Sequence, residues 1–345
     1  RSPAMMQFLS GHPAIALAMQ PSRTQHVLPE TLIQRLGTVG RLLDATPMQR
    51  FDDERAAKLL AETEILITGW GSPAIDAAAL AQTPHLKLVV HAAGTVKGLL
   101  GDSLFDRGIL VSHAAQANAL PVAEFTLAAI IFAGKKVFRF RDFYVADRNR
   151  QRTVPMQADA IGNYGRTIGI IGASRIGRRV IELLAPFDYR ILLYDPMVDA
   201  AEAARLGVEK AELDALMASA DIVSLHAPSL PATRHMIDAR RLSMMKDGAT
   251  FINTARGALV DEAALIRVLK TGHIDAIIDV TDPEIPEAAS AFYELPNVFL
   301  TPHIAGAVGL ERARLGEMAV DETIRFIEGR PLLYEVRRED MARMA

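Results

Sequence analysis

The residues able to do chemistry lie where apolar runs end. Gly169-Ile-Ile-Gly172-Ala-Ser174-Arg175-Ile176-Gly177 follows a strand pattern and opens a helix pattern. In that context the glycine spacing reads as a phosphate-binding turn. Gly172 permits the tight turn and Gly177 lets helix and strand pack closely. The helix N-terminus aims amide groups and a positive dipole end at a pyrophosphate. Ser174 takes the middle place of Gly-x-Gly-x-x-Gly. It is small enough to keep backbone approach open, and its hydroxyl can itself meet a phosphate. The competing reading is an ordinary glycine-rich strand-to-helix turn. Asp195, in Leu193-Tyr194-Asp195-Pro196, ends the next strand 18 residues after Gly177. A carboxylate at that distance holds ribose hydroxyls and repels a 2′-phosphate, which favours NAD over NADP. The alternative is a turn or cap residue, a common use of Asp-Pro.

Three further sites follow. Arg256, in Asn253-Thr254-Ala255-Arg256-Gly257, ends a buried apolar strand, and its planar fork suits a carboxylate. The alternative is an interdomain salt bridge. Asp279-Val-Thr-Asp282-Pro-Glu284 is acidic; nothing else in the sequence suggests a hard-cation cage, so no metal is expected and a plain acidic loop is the simpler reading. His303, in Thr301-Pro302-His303-Ile304-Ala305-Gly306, is one of nine histidines, so its place at a strand end means little alone.

The elements that must position these groups alternate between strand and helix patterns, which implies βαβ units and a parallel sheet. Strands are expected at Ala14–Met19, Arg41–Asp44, Ile65–Thr68, Leu86–Ala92 and Leu110–His113. Helices are expected between them, as at Glu30–Leu36, Asp52–Ala61 and Ala74–Gln82. Pro121 reads as the first turn of a long apolar helix running to Phe132. Lys135–Asn163 carries aromatic pairs but no strand, and reads as a helix and loop lying on another surface or as a solvated loop. A second series has six strands, at Thr167–Ile171, Arg190–Tyr194, Ile222–Leu225, Thr250–Asn253, Ala276–Asp279 and Val298–Leu300. Five crossovers join them, the count of a doubly wound dinucleotide-binding sheet. Leu310–Ile327 reads as an amphipathic helix followed by a charged tail.

Composition bounds the class. The 345 residues suggest about two domains. With 41 acidic and 38 basic residues the net charge is −3, which gives no electrostatic footprint for nucleic acid or an anionic membrane. There is no cysteine, so disulfides, thiolate nucleophiles and cysteine metal sites are excluded. No apolar run reaches about 18 residues, so no membrane span is expected. Ile15–Met19 is too short for a signal peptide's apolar region. A cytoplasmic enzyme is the expectation. The chain starts Arg1-Ser2-Pro3-Ala4, and residues 1–4 read as a cloning remnant ahead of a natural start at Met5 or Met6.

Taken together the motifs resemble the D-isomer-specific 2-hydroxyacid dehydrogenase family, over nearly the whole chain. The resemblance rests on His91-Ala92-Ala93-Gly94-Thr95, Asn118…Val122-Ala123-Glu124, the glycine turn, Asp195, Leu225-His226-Ala227-Pro228…Thr233, Asn253…Gly257, Asp279, Glu284 and Thr301-Pro-His303. It implies Arg256, Glu284 and His303 as the catalytic set. His303 would be the general acid, Glu284 would orient its imidazole, and Arg256 would bind the substrate carboxylate and polarise the carbonyl. Amides at Ala93, Gly94 and Thr95 would hold the other carboxylate oxygen. Asp279 would meet the nicotinamide carboxamide. His226, Pro228, Thr233, Thr254, Ala255 and Gly306 would complete the NAD site.

The implied fold is α/β, with two Rossmann-like or flavodoxin-like doubly wound parallel-sheet domains and a cleft between them. Residues 1–118 and 305–345 would form the substrate domain and 119–304 the NAD-binding domain. Trp70, the only tryptophan, would line the substrate pocket, or else pack on the domain surface. A homodimer through the NAD-binding domain is implied, with Val137–Gly162 as contact arm. Two positions depart from the family: Ser174 for glycine, and Ile285 where proline commonly follows the glutamate. The function implied is interconversion of a 2-keto acid and a D-2-hydroxy acid, of glyoxylate or hydroxypyruvate type. Phosphite- or phosphoglycerate-type dehydrogenation is an alternative, as is a non-enzymatic NAD-sensing corepressor.

Overall fold

The computed structural model describes residues 8, 9, 11–342 and 344. Residues 1–4, read above as a remnant, and the start sites Met5 and Met6 lie outside them. The described residues up to Asn118, together with those from Ala307 on, form one compact unit, and Ala119–Gly306 form the other.

In the first unit five parallel strands, β1 (Ala14–Ala18), β2 (Arg41–Leu42), β3 (Ile65–Thr68), β4 (Leu88–His91) and β5 (Leu110–His113), lie in the order β2-β1-β3-β4-β5. This is the flavodoxin-like order. Both faces are covered. Ala16, Leu66, Val89 and Val111 point into one apolar layer, while Ile15, Ile65, Leu88 and Val90 point into the other. A strand buried on both sides reads as a continuous apolar run rather than an alternating one. The helix Ala313–Ile327 adds Ala319, Val320 and Phe326 to the second layer. The charged tail after it is tied down. Buried Glu322 accepts hydrogen bonds from Ser112 Oγ (2.7 Å) and from the Leu333 and Tyr334 amides (both 3.0 Å).

In the second unit β6 (Thr167–Ile171), β7 (Arg190–Tyr194), β8 (Glu209–Lys210), β9 (Ile222–Leu225), β10 (Thr250–Asn253), β11 (Asp275–Ile278) and β12 (Val298–Leu300) are all parallel. Their order is β12-β11-β10-β9-β6-β7-β8. The order reverses between β6 and β9, the switch point where ligands of such sheets bind. The sheet has seven strands where the sequence suggested six. The extra one, β8, is two exposed charged residues with no apolar pattern to reveal it.

Two other expectations are corrected. Pro121 lies inside the helix Ala115–Gly134 rather than at its start. The alanine-rich run 115–120 carries the helix across the one hydrogen bond that proline removes. That helix has 20 residues and an 18-residue stretch of mean hydropathy 1.5, so among the described residues one helix is long and apolar enough for a membrane by those measures. Its Ala123, Ala129, Ile130 and Ala133 instead pack into the core with β6 and β7, as in a core helix. The following helix, Val137–Asp147, buries none of its residues.

Candidate active site

The glycine turn joins β6 to the helix Arg175–Leu184. Gly172 sits at φ +99°, and a Cβ there would come within 2.7 Å of the His226 and Ala227 backbone. A Cβ on Gly177 would lie 2.0 Å from the Gly172 carbonyl oxygen. Both positions therefore demand glycine. Ser174 caps the helix, its Oγ accepting from Gly177 N–H at 3.2 Å. The Asp195 carboxylate accepts from the Ala173 amide at 2.7 Å and the Met197 amide at 2.8 Å. It thus braces the turn, and each oxygen keeps a further lone pair for a hydroxyl. His226 is fully buried against this turn. Burial pulls its imidazole down to about 3, and it stays neutral. Its Nε2 pairs with Ser224 Oγ at 2.8 Å and its Nδ1 has no partner. Thr233 closes the Pro228–Thr233 loop by donating to the Pro228 carbonyl at 2.6 Å. A turn with no room for a Cβ at Gly172 or Gly177 that opens a capped helix, with a strand-end carboxylate beside it, fits a dinucleotide pyrophosphate and ribose.

Arg256 follows β10. Asn253 shapes its turn, accepting from Ala255 N–H and donating to the Arg256 carbonyl, both at 3.0 Å. A Cβ on Gly257 would lie 2.1 Å from the Thr281 carbonyl carbon, so this turn rests directly on the loop after β11. Burial draws the Arg256 guanidinium's pKa down, while the charge of Glu284 acts the other way. Thr254 pairs with Thr126 at 3.1 Å.

Glu284 and His303 meet through Oε1 and Nδ1. Their side chains are 62% and 45% exposed, so both reach solvent. Ile285, which replaces the family's usual proline, is itself exposed and does not keep Glu284 from His303. His303 stands at φ +55°, a left-handed conformation that costs a non-glycine residue about 1–2 kcal/mol. Asp279 is what holds it there. Only 2% exposed, its carboxylate accepts from Thr301 Oγ1 at 2.6 Å and from the Ile304 and Ala305 amides at 2.8 and 2.9 Å. The His303 amide donates to the Asp279 carbonyl at 2.9 Å. Both oxygens serve the His303 loop, and Oδ2, with one donor, keeps a lone pair for the nicotinamide carboxamide that the resemblance implies. Asn253 and Thr301 stand inside the motifs without a role assigned to them, and Thr281 has no motif of its own. Among the described residues, no three His, Asp or Glu gather into a metal site.

In the first unit, the loop after β4 carries Ala93, Gly94 and Thr95. Ala93 is buried and its carbonyl accepts from Ala114 N–H at 3.1 Å. His113 Nδ1 donates to the Gly94 carbonyl at 3.1 Å. Burial pulls His91 down to about 4, and Thr68 Oγ1 pairs with its Nδ1 at 2.9 Å. Trp70 packs with Ala114, Ala117, Ala307 and Leu315, and the Arg312 guanidinium lies 5.5 Å from its ring centre.

Comparison with known proteins defines the class. Residues 127–305, just over half of the chain, match the D-isomer specific 2-hydroxyacid dehydrogenase NAD binding domain. The chain belongs to this family of NAD-dependent dehydrogenases. It is 34% identical over 285 residues to D-3-phosphoglycerate dehydrogenase of Mycobacterium leprae, covering 81% of this chain and 52% of that one. The chain thus spans about half the length of that relative. It is 34% identical over 256 residues to glyoxylate reductase of Korarchaeum cryptofilum, covering 74% of this chain and 77% of that one. The NAD-complexed D-isomer specific 2-hydroxyacid dehydrogenase of Lactobacillus delbrueckii shares the fold, with a TM-score of 0.78 at 22% identity over 94% of this chain and 100% of that one.

Proposed function

We propose that the protein interconverts a 2-keto acid and a D-2-hydroxy acid, working mainly as a reductase of the glyoxylate or hydroxypyruvate type. The observation that carries this reading is the Glu284–His303 contact, with the His303 loop held by a buried carboxylate and the charge of Glu284 felt by a half-buried arginine. NADH would supply the hydride and leave as NAD+. His303 donates the proton to the substrate oxygen as general acid. Glu284 orients the ring at Nδ1, which leaves Nε2 to face the reacting oxygen. Arg256 binds the carboxylate in a bidentate pair and stabilises charge growing on the carbonyl oxygen.

The Ala93–Thr95 amides would take the other carboxylate oxygen, and Trp70 would supply an apolar wall. Asp195 would hold the adenosine ribose and select NAD over NADP; Gly172, Arg175, Ile176, Gly177, His226 and Gly306 would line the rest of that site. In this scheme residues 1–118 and 305–345 act as the substrate domain and 119–304 as the NAD-binding domain.

The 34% identity to a phosphoglycerate dehydrogenase favours one second reading, a phosphorylated substrate. Against it, His91 is buried and neutral, and exposed Lys97 donates to the Met344 carbonyl. We also propose a homodimer through the NAD-binding domain. A groove of about 450 Å³ runs between helix Val137–Asp147 and the sheet edge at β12, lined by Phe132, Phe138 and Phe299. Tyr144, Val145 and Val154 are more than half exposed nearby in sequence. A second copy would cover that apolar face.

The test is NADH oxidation against a panel of 2-keto acids, with NADPH in parallel. Turnover of glyoxylate or hydroxypyruvate with NADH is the expected result. His303→Ala should lower kcat by about 10²–10⁴-fold with NADH binding kept. No turnover across the panel, or full activity in that variant, would overturn the assignment.

A further inference from the structure

One conspicuous carboxylate has no part in that scheme. Glu262 opens the helix Glu262–Lys270, six residues after Arg256, and is only half-buried. Its Oε1 accepts the Asp282 backbone N–H at 2.9 Å. That amide lies two residues before Glu284. The loop between has little freedom. Thr281 Oγ1 shares its proton between the Pro283 carbonyl at 2.8 Å and the Glu284 carbonyl at 3.1 Å. From the other side, Gly257 sits where any Cβ would strike the Thr281–Asp282 backbone. One short stretch, Arg256 to Glu262, therefore touches the Glu284 loop twice, once by packing and once by a charged hydrogen bond.

We propose that Glu262 is a positioning residue: by gripping the Asp282 amide it fixes the Thr281–Glu284 loop in the register that presents Glu284 to His303. The inference rests on the reading of Glu284 and His303 as the acid–base pair, but the grip itself is a property of the loop.

The surroundings make this grip sensitive to pH. Burial and the neighbouring Asp282 carboxylate push the Glu262 carboxyl up to about 7, against the opposing pull of the Asp282 amide. Asp282 is itself paired with Arg234 at 3.6 Å, and Asp261, next to Glu262 in the chain, spends an oxygen on the Ala264 amide at 2.9 Å. An amide bonds an ionised carboxylate more strongly than a neutral acid. The loop should hold tightly above neutral pH and loosen as Glu262 takes up a proton.

Two measurements test this on the full chain. The first needs no turnover: hydrogen exchange of the peptide spanning 281–284, with intrinsic rates corrected for pH. Glu262→Ala should raise exchange there by about tenfold, as expected for one lost charged hydrogen bond. Glu262→Gln keeps an acceptor oxygen, and should keep most of the protection while abolishing its change across neutral pH. The second is kinetic. Glu262→Ala should lower kcat several-fold or more, with the NADH dissociation constant within about twofold, and Glu262→Gln should restore it. Unchanged exchange in Glu262→Ala overturns the proposal. So does a glutamine variant as impaired as alanine in both measurements. If the wild-type chain reduces no 2-keto acid, the functional reading fails, and the exchange data still decide whether Glu262 holds the loop.

Discussion

Asp279→Asn separates two roles for one carboxylate. In the folded chain Oδ1 accepts two donors, Thr301 Oγ1 and Ile304 N–H, and Oδ2 accepts Ala305 N–H. Asparagine offers one acceptor oxygen and one NH₂. The least costly rotamer turns the NH₂ toward the Ala305 amide, so a donor faces a donor. One charged hydrogen bond is lost, worth about 1.5–3 kcal/mol. That loss matches the strain the site must hold, since His303 at φ +55° costs about 1–2 kcal/mol. The loop should relax and carry the imidazole away from Glu284. At 1.36 kcal/mol per tenfold, kcat should fall by about 10–150-fold. Stopped-flow reduction of glyoxylate gives kcat, and NADH fluorescence titration gives affinity. The structure assigns the loss to kcat, with NADH binding within about twofold. Unchanged kcat with tenfold weaker NADH binding would refute this and return Asp279 to the nicotinamide carboxamide.

Other perturbations follow from the same contacts. Gly177→Ala would set a methyl 2.0 Å from the Gly172 carbonyl, so the turn must shift; about 1–3 kcal/mol of overpacking should appear as NADH affinity weakened by tenfold or more in titration. Arg256→Lys keeps the charge but loses the fork, and should raise KM for the keto acid by about tenfold or more with NADH affinity kept. His91 and His226 are held neutral, at about 4 and about 3 against 6.5 unfolded. Their contribution is whole above pH 6.5 and lost as pH falls toward those values. Each should cost its own unit about 3 kcal/mol between pH 6.5 and 4, read by urea unfolding, and His91→Gln should flatten that dependence for the first unit.

Much of this was legible because buried parallel strands announce themselves. Thr167–Ile171, Ile222–Leu225 and Thr250–Asn253 are apolar runs bounded by polar residues, and the strands have those bounds. The glycine turn was legible for a related reason: Gly172 and Gly177 admit no Cβ, so the residue type records the geometry. β8 was not legible, because Glu209 and Lys210 pair at an exposed edge without burying anything. Pro121 misled because its rule describes the average first turn, whereas here the helix had already begun. Asp279 was found by its place at a strand end, yet its partners, Thr301, Ile304 and Ala305, lie more than 20 residues on. Long-range hydrogen bonds of that kind leave no local pattern.

The candidate site divides its labour by exposure. Glu284 and His303 reach solvent, so protons can enter and leave them. The groups beneath the site, Asp279 under the His303 loop and Asn253 in the Arg256 turn, are each 2% exposed. A carboxylate is costly at that depth unless donors satisfy it, and Asp279 has three. Satisfied this way, it ties the end of β11 to the loop that follows β12, where its partners Thr301, Ile304 and Ala305 lie. His303 can then occupy a strained backbone conformation in a loop that would otherwise relax. The proposed acid–base pair owes the geometry of its histidine to a buried neighbour. Substitutions at Asp279 and Asn253 should therefore damage turnover more than their distance from any substrate would suggest.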